Sequence, residues 1–167
     1  MKGNRALELE EADDAPKPLE FSIAYQLRRT HRRFQLHLHQ RLLEYDVPIG
    51  MWYFLRVLWE EDGLSQRELG RRVTATAPTT VEQLRNMEAR SFIRRERTDT
   101  DRRKILIFLT EEGKALRPIL APLANQINRD ALRGLNEGEV GFLRLVLQKM
   151  EDNLAGGEDL LASVPEE

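Results

Sequence analysis

No cysteine occurs in the 167 residues of the chain. That removes disulfides, thiolate metal ligands and cysteine redox sensing, and it fits a reducing compartment. Long apolar runs are missing too. No segment approaches the roughly 20 apolar residues of a membrane-spanning helix. The opening MKGNRALELEEADDAPKPLE has no apolar run of signal-peptide type. A soluble cytoplasmic protein with no membrane partner is therefore expected. There is no glycine-rich phosphate loop, and no nucleophile–base constellation orders the threonines and carboxylates for catalysis. An enzyme is not expected. His37 and His39 lie two residues apart, so on a helix they point to nearly opposite sides. His31 is almost two turns from His37, with no acidic partner at ligand spacing, so neither metal nor cofactor is expected.

What is present is charge, unevenly spread. Hydrophobic residues make up 41% and charged residues 32%, which suits a globular chain. The net charge is −2. Between Ser65 and Leu109, eleven Lys/Arg stand against six Asp/Glu, a local +5, whereas residues 136–167 carry −6 and the first twenty −3. A basic middle between acidic ends points to an anionic partner, although a solvated arginine-rich surface has the same composition.

Residues 1–18 read as a flexible acidic arm and 156–167 as a tail, which leaves 19–155 as the folded domain. From Phe21 to Tyr45, Ala24, Leu27, His31, Phe34, Leu38 and Leu42 recur every three or four residues and make one helical stripe. Pro48 breaks that helix. IGMWYFLRVLWEED is apolar on most faces and predicts a buried helix ended by Gly63. Ser65 opens a short helix with the capping box SQRE. Thr76 caps another that tolerates Pro78 in its first turn and runs to about Arg90. Thr80, Leu84 and Met87 fall on one side of it, with Thr79, Glu82, Arg85 and Asn86 on the other.

FIRRER and KILIFLT then read as two strands joined by TDTD, of turn composition. Six of the eight residues from Arg97 to Lys104 are charged. Thr110 caps a long helix, which Pro118 and Pro122 should bend or delay. A second capping box, NEGE, opens a last helix with an apolar stripe of Val140, Leu143, Leu147, Met150 and Leu154. The class is mostly α with one small β-hairpin. Two short helices, a tight turn and a hairpin make a winged helix-turn-helix core, residues 48–110. In that arrangement one helix enters a major groove, and a charged hairpin tip is held in a defined direction by its apolar strand.

The stretch GLSQRELGRRVTATAPTTVEQLRNMEARSFIRRERTDTDRRKILIFLTEEG resembles the core of the multiple-antibiotic-resistance regulator (MarR) family. The most specific element is DTDRRKILIFLTEEG, similar to the family's Asp-x-Arg wing followed by a Leu-Thr-x-x-Gly helix start. The resemblance covers about residues 20–155. It implies a homodimeric DNA-binding repressor, released by a small aromatic acid or phenol. Ser91 departs from the pattern, which commonly has glycine before the hairpin, and there is no sensing cysteine.

Carried over residue by residue, the resemblance places Arg103 in the minor groove, oriented by Asp101, with Arg102 on phosphate nearby. Thr76, Pro78, Thr79 and Thr80 form the groove-facing start of the recognition helix, followed by Glu82, Arg85 and Asn86. Gln66 and Arg67 are candidate phosphate contacts. The family pattern also makes 19–46 and 111–155 dimerisation helices, with Leu143, Leu147, Met150 and Leu154 against the partner. A two-fold dimer implies a pseudo-palindromic double-stranded operator. Tyr25, Arg28, Arg29, His31, Trp52, Tyr53 and Arg56 are candidates to line an effector pocket, because arginine beside tryptophan suits an aromatic carboxylate. The alternative is a winged-helix module that binds protein rather than specific DNA, for which arginines at the wing tip are unnecessary.

Overall fold

The computed structural model describes residues 18–97 and 105–155. The arm before Pro18, the wing-tip residues Asp101, Arg102 and Arg103, and the tail lie outside the described residues. A 3-10 turn (Leu19–Phe21) leads into α1 (Ile23–Leu43), where the Ser22 hydroxyl accepts from the Tyr25 amide at 3.4 Å. Only Leu38 and Leu42 of the α1 stripe are buried, and Leu27 remains 39% exposed. The chain turns at Asp46, in the left-handed region at φ 54°. Pro48 then precedes α2 (Ile49–Glu60). This helix buries Met51, Trp52, Phe54, Leu55, Leu58 and Trp59, as its all-round apolar sequence requires.

The helix ends at Glu60 rather than running to the glycine. Gly63, at φ 75°, instead shapes the entry to a strand, and its amide donates to the Ile107 carbonyl at 3.0 Å. That strand, β1 (Leu64–Ser65), is one the sequence reading lacked: two residues are too short to show alternation. It pairs antiparallel with β3 (Ile105–Leu109), which also pairs with β2 (Ile93–Arg97), so the sheet is three-stranded in the order β1-β3-β2. Ile93, Ile107 and Leu109 are the buried residues of β2 and β3.

Two short helices lie between β1 and β2. In α3 (Gln66–Val73) the Ser65 hydroxyl accepts from the Glu68 amide at 3.2 Å. The expected return bond is replaced: the Glu68 carboxylate accepts from Arg71 at 2.8 Å and Arg72 at 2.9 Å. Thr74, left-handed at φ 58°, closes α3, and α4 (Ala77–Ala89) follows. The long helix expected after Thr110 is two helices, α5 (Glu111–Ala115) and α6 (Arg117–Ala131). Pro118 explains the interruption, since it has no amide hydrogen to donate back to Lys114 and its ring crowds that carbonyl.

The described residues divide into two compact units, one through Ala124 and one from Asn125. Phe54, Leu55, Leu58, Leu69, Leu84, Met87, Ile93, Ile107 and Leu120 are fully buried in the first. Each such side chain contributes about 1.5–3 kcal/mol. The second unit holds the end of α6 and α7 (Glu137–Ala155). Both bonds of its capping box form: the Asn136 side chain accepts from the Glu139 amide at 3.0 Å, and Glu139 accepts from the Asn136 amide at 2.7 Å. No residue of α7 is buried.

Candidate nucleic-acid interface and ligand cleft

The α3–turn–α4 pair is held by a close approach at Gly70. A Cβ there would lie 2.6 Å from the Thr80 hydroxyl oxygen. Thr80 is 2% exposed, and its hydroxyl donates to the Thr76 carbonyl at 2.8 Å. It therefore belongs to the core, and its assignment to the DNA-facing set is corrected: it shares the inner side of α4 with Leu84 and Met87. The remaining candidates on α4, Thr76, Pro78, Thr79, Glu82, Arg85 and Asn86, are exposed. Thr76 caps the helix by accepting from the Thr79 amide at 3.3 Å, and the two hydroxyls bond at 2.9 Å. On α3, Arg67 is exposed and Gln66 half-buried.

The sequence reading missed two features of this surface. Val81 is 47% exposed on the flank of α4. Arg90, at the far end, donates from one guanidinium nitrogen to both the carbonyl and the carboxylate of Asp46, each at 2.6 Å. No local spacing signals that second contact, because the partners are 44 residues apart. Glu68 sits at the head of an ionic cluster that ties α3 to the end of α2, since Arg72 also pairs with Glu61 at 2.7 Å. The Arg71 and Arg72 guanidiniums bonded to it hold the Glu68 carboxyl down at about 2.

A cleft of about 690 Å³ lies beside this module. Four of the candidate effector residues, His31, Trp52, Tyr53 and Arg56, line it together. Tyr25, Arg28 and Arg29 do not line it; Arg29 stacks on Tyr25 at 5.8 Å instead. The wall also includes Gln35, Glu60, Arg72 and Thr74, which the sequence reading did not include. The Arg56 guanidinium lies 5.7 Å from the Trp52 ring centroid and 3.5 Å from the Glu60 carboxylate. Trp52 is itself 3% exposed and meets Trp59 edge-on at 5.6 Å, so it is a core residue bordering the cleft. Among the described residues no group of histidines and carboxylates is placed to hold a metal, and no helix is long and apolar enough to cross a membrane.

Within the second unit, the expected dimer residues differ in exposure. Leu143 is 42% and Leu154 75% exposed, while Leu147 and Met150 are half-buried. Phe142 and Leu145, 68% and 65% exposed, extend the apolar surface beyond the single stripe read from spacing.

Comparison with known proteins agrees with this architecture. The chain is 29% identical over 153 residues to the HTH-type transcriptional regulator TtmR of Methylorubrum extorquens, covering 90% of this chain and 77% of that protein. It is 26% identical over 141 residues to the HTH-type transcriptional repressor NicR of Pseudomonas putida, covering 84% and 89%. The structure of BpsR from Bordetella bronchiseptica, whose DNA binding is regulated by 6-hydroxynicotinic acid, superposes with a TM-score of 0.75 at 25% identity, over 83% of this chain and 99% of that one. Residues 50–105, from the first turn of α2 to the first residue of β3, match the model of the MarR family. With its winged helix-turn-helix and these relatives, the chain is similar to the MarR family of transcriptional regulators, whose model matches its DNA-binding segment.

Proposed function

We propose that the chain is a homodimeric, sequence-specific repressor whose α4 enters the major groove of a pseudo-palindromic operator. The observation that carries this reading is the division of α4. Thr80, Leu84 and Met87 fix its inner side in the core, and the exposed side presents Glu82, Arg85 and Asn86, side chains that hydrogen-bond to base edges. Gln66 and Arg67 would add phosphate contacts, and Asp101, Arg102 and Arg103 would carry the wing contact. A two-fold dimer would set the half-sites about 10 base pairs apart. The apolar surface of α7, with Leu143, Leu147, Met150 and Leu154, supplies the pairing face. The names of TtmR and NicR support the regulatory reading.

Selection from random DNA at two salt concentrations tests it. The expected result is an enriched inverted repeat whose binding weakens steeply with salt. Arg103→Ala should weaken binding at least tenfold. No binding even at low salt would instead favour the protein-interaction module.

Release by a small aromatic carboxylate or phenol is the second part of the proposal. Arg56 and Trp52 border the cleft together, and Arg56 is held by Glu60 at only 3.5 Å, so a ligand carboxylate can compete for it. BpsR, with its aromatic acid effector, supports this chemistry. The effector acts only through different affinity for two states, and a coupling of about 1–3 kcal/mol shifts operator affinity roughly 5- to 150-fold. Calorimetry with benzoates, phenols and cinnamates should give heat that Arg56→Ala abolishes; silence across the panel counts against an effector of this class.

A further inference from the structure

Within the described part of the helix-turn-helix and sheet, Glu82 is the carboxylate without a partner. Glu60 pairs with Arg56, Glu61 and Glu68 with Arg72, Glu88 with Arg95, and Glu96 with Arg94. Asp62 accepts from the Gly63 and Leu109 amides. Glu82 makes no ion pair or hydrogen bond with any described residue, although Arg85 lies one turn along the same helix.

Its position is equally distinct. At 100° per residue, Glu82 lies 160–220° around α4 from the buried Thr80, Leu84 and Met87. It therefore occupies the outermost line of the helix, between Pro78 and Arg85. A helix laid in a groove by that face carries Glu82 to the base edges first.

We propose that Glu82 is a specificity-determining residue that selects cytosine in each operator half-site and penalises other sequences. This rests on the DNA-binding reading above. A carboxylate accepts but does not donate. The major-groove edges of guanine offer acceptors alone, and thymine offers an acceptor and a methyl group. Adenine places its N6 donor beside the N7 acceptor, which repels a carboxylate. Cytosine presents the N4 donor without an acceptor of its own at that edge. At any other base, Glu82 brings an uncompensated negative charge to a duplex that already carries one charge per 1.7 Å. The residue thus weakens non-specific binding while favouring one base. Arg85 can read the guanine O6 and N7 of the same or a neighbouring pair.

The test is selection from random DNA by wild type, Glu82→Gln and Glu82→Ala, followed by titration of the selected duplex and a scrambled one. Wild type should enrich a cytosine at one position of each half-site, favoured by about 5- to 150-fold. Glu82→Gln should move that preference toward adenine, which glutamine reads bidentately at N6 and N7. Glu82→Ala should lose the preference there while binding the scrambled duplex more tightly. If Glu82→Ala selects the same cytosine as wild type, the assignment is overturned and Glu82 is a solvated charge. If wild type enriches no sequence at all, the DNA reading fails and the assignment with it.

Discussion

Gly70 of α3 and Thr80 of α4 meet with no room for a single added carbon: a Cβ at Gly70 would sit 2.6 Å from the Thr80 oxygen. The crossing of the two helices, and so the presentation of α4, depends on that missing methyl group. Thr80 cannot swing aside without giving up its bond to the Thr76 carbonyl. Gly70→Ala should therefore destabilise the fold by about 1–3 kcal/mol. Thermal melting reads the loss, and operator titration should show weaker binding well below the melting range. An unchanged melting temperature would mean that the helices separate freely.

A similar approach fixes the start of α5. A Cβ on Gly113 would collide with the carbonyl oxygen of Phe92, and the Gly113 carbonyl accepts from the Trp59 indole at 2.9 Å. Backbone yields less readily than a side chain, so Gly113→Ala should cost at least as much as Gly70→Ala, about 2–3 kcal/mol. Denaturant titration of the two variants side by side gives the ranking.

The Glu68 carboxyl, held from 4.5 to about 2 first by Arg71 and then by Arg72, makes a pH prediction. A carboxyl whose value is lower folded than unfolded stabilises the fold above the unfolded value. That contribution disappears as the pH falls through the folded value. It should be complete above about pH 5 and lost between about pH 4.5 and 2. Glu68→Gln should flatten this part of the melting-temperature profile. Because the pair is solvent-accessible, added salt should shrink the difference between the two proteins.

Ser91 lies in the left-handed region at φ 59°, which costs a non-glycine residue about 1–2 kcal/mol. Glycine would relieve that strain but add about 0.5–1 kcal/mol of unfolded-state freedom. Ser91→Gly should thus be neutral or stabilising by up to about 1 kcal/mol by thermal melting. A clear destabilisation would show that the serine side chain matters here.

If α7 pairs with its copy as proposed, Leu143→Glu combined with Leu147→Glu should give a monomer by light scattering at micromolar concentration. Charges facing each other across a two-fold axis repel, and each would also be stripped of water. A dimer that survives both changes would place the interface elsewhere.

Much of this fold was legible in the sequence because its signals are local. The caps at Ser65, Thr76 and Thr110 follow from side chains that reach backbone amides three residues on. The inner side of α4 follows from helical spacing. Thr80 was ambiguous for a physical reason: a threonine near a helix start suits both a phosphate contact and a buried hydroxyl bonded four residues back, and only packing against Gly70 decides. What the sequence could not reveal was contact between distant residues: β1 against β3, Arg90 on Asp46, and the cleft wall where α1, α2 and Thr74 converge. Arg28 and Arg29 were plausible cleft residues by type, but residue type does not say which way a helix is rotated.

The Arg90–Asp46 contact has a mechanical consequence. The thirteen residues of α4 make a rod about 20 Å long. One end is pinned by Arg90 to the corner between α1 and α2, while the other begins just after Thr74, which forms part of the cleft wall. The near end is held as well, because Thr80 in the first turn is buried against Gly70 of α3. Held at both ends, the helix is a braced rod rather than a lever: its exposed side can be re-aimed only by moving α3 or the α1–α2 corner with it.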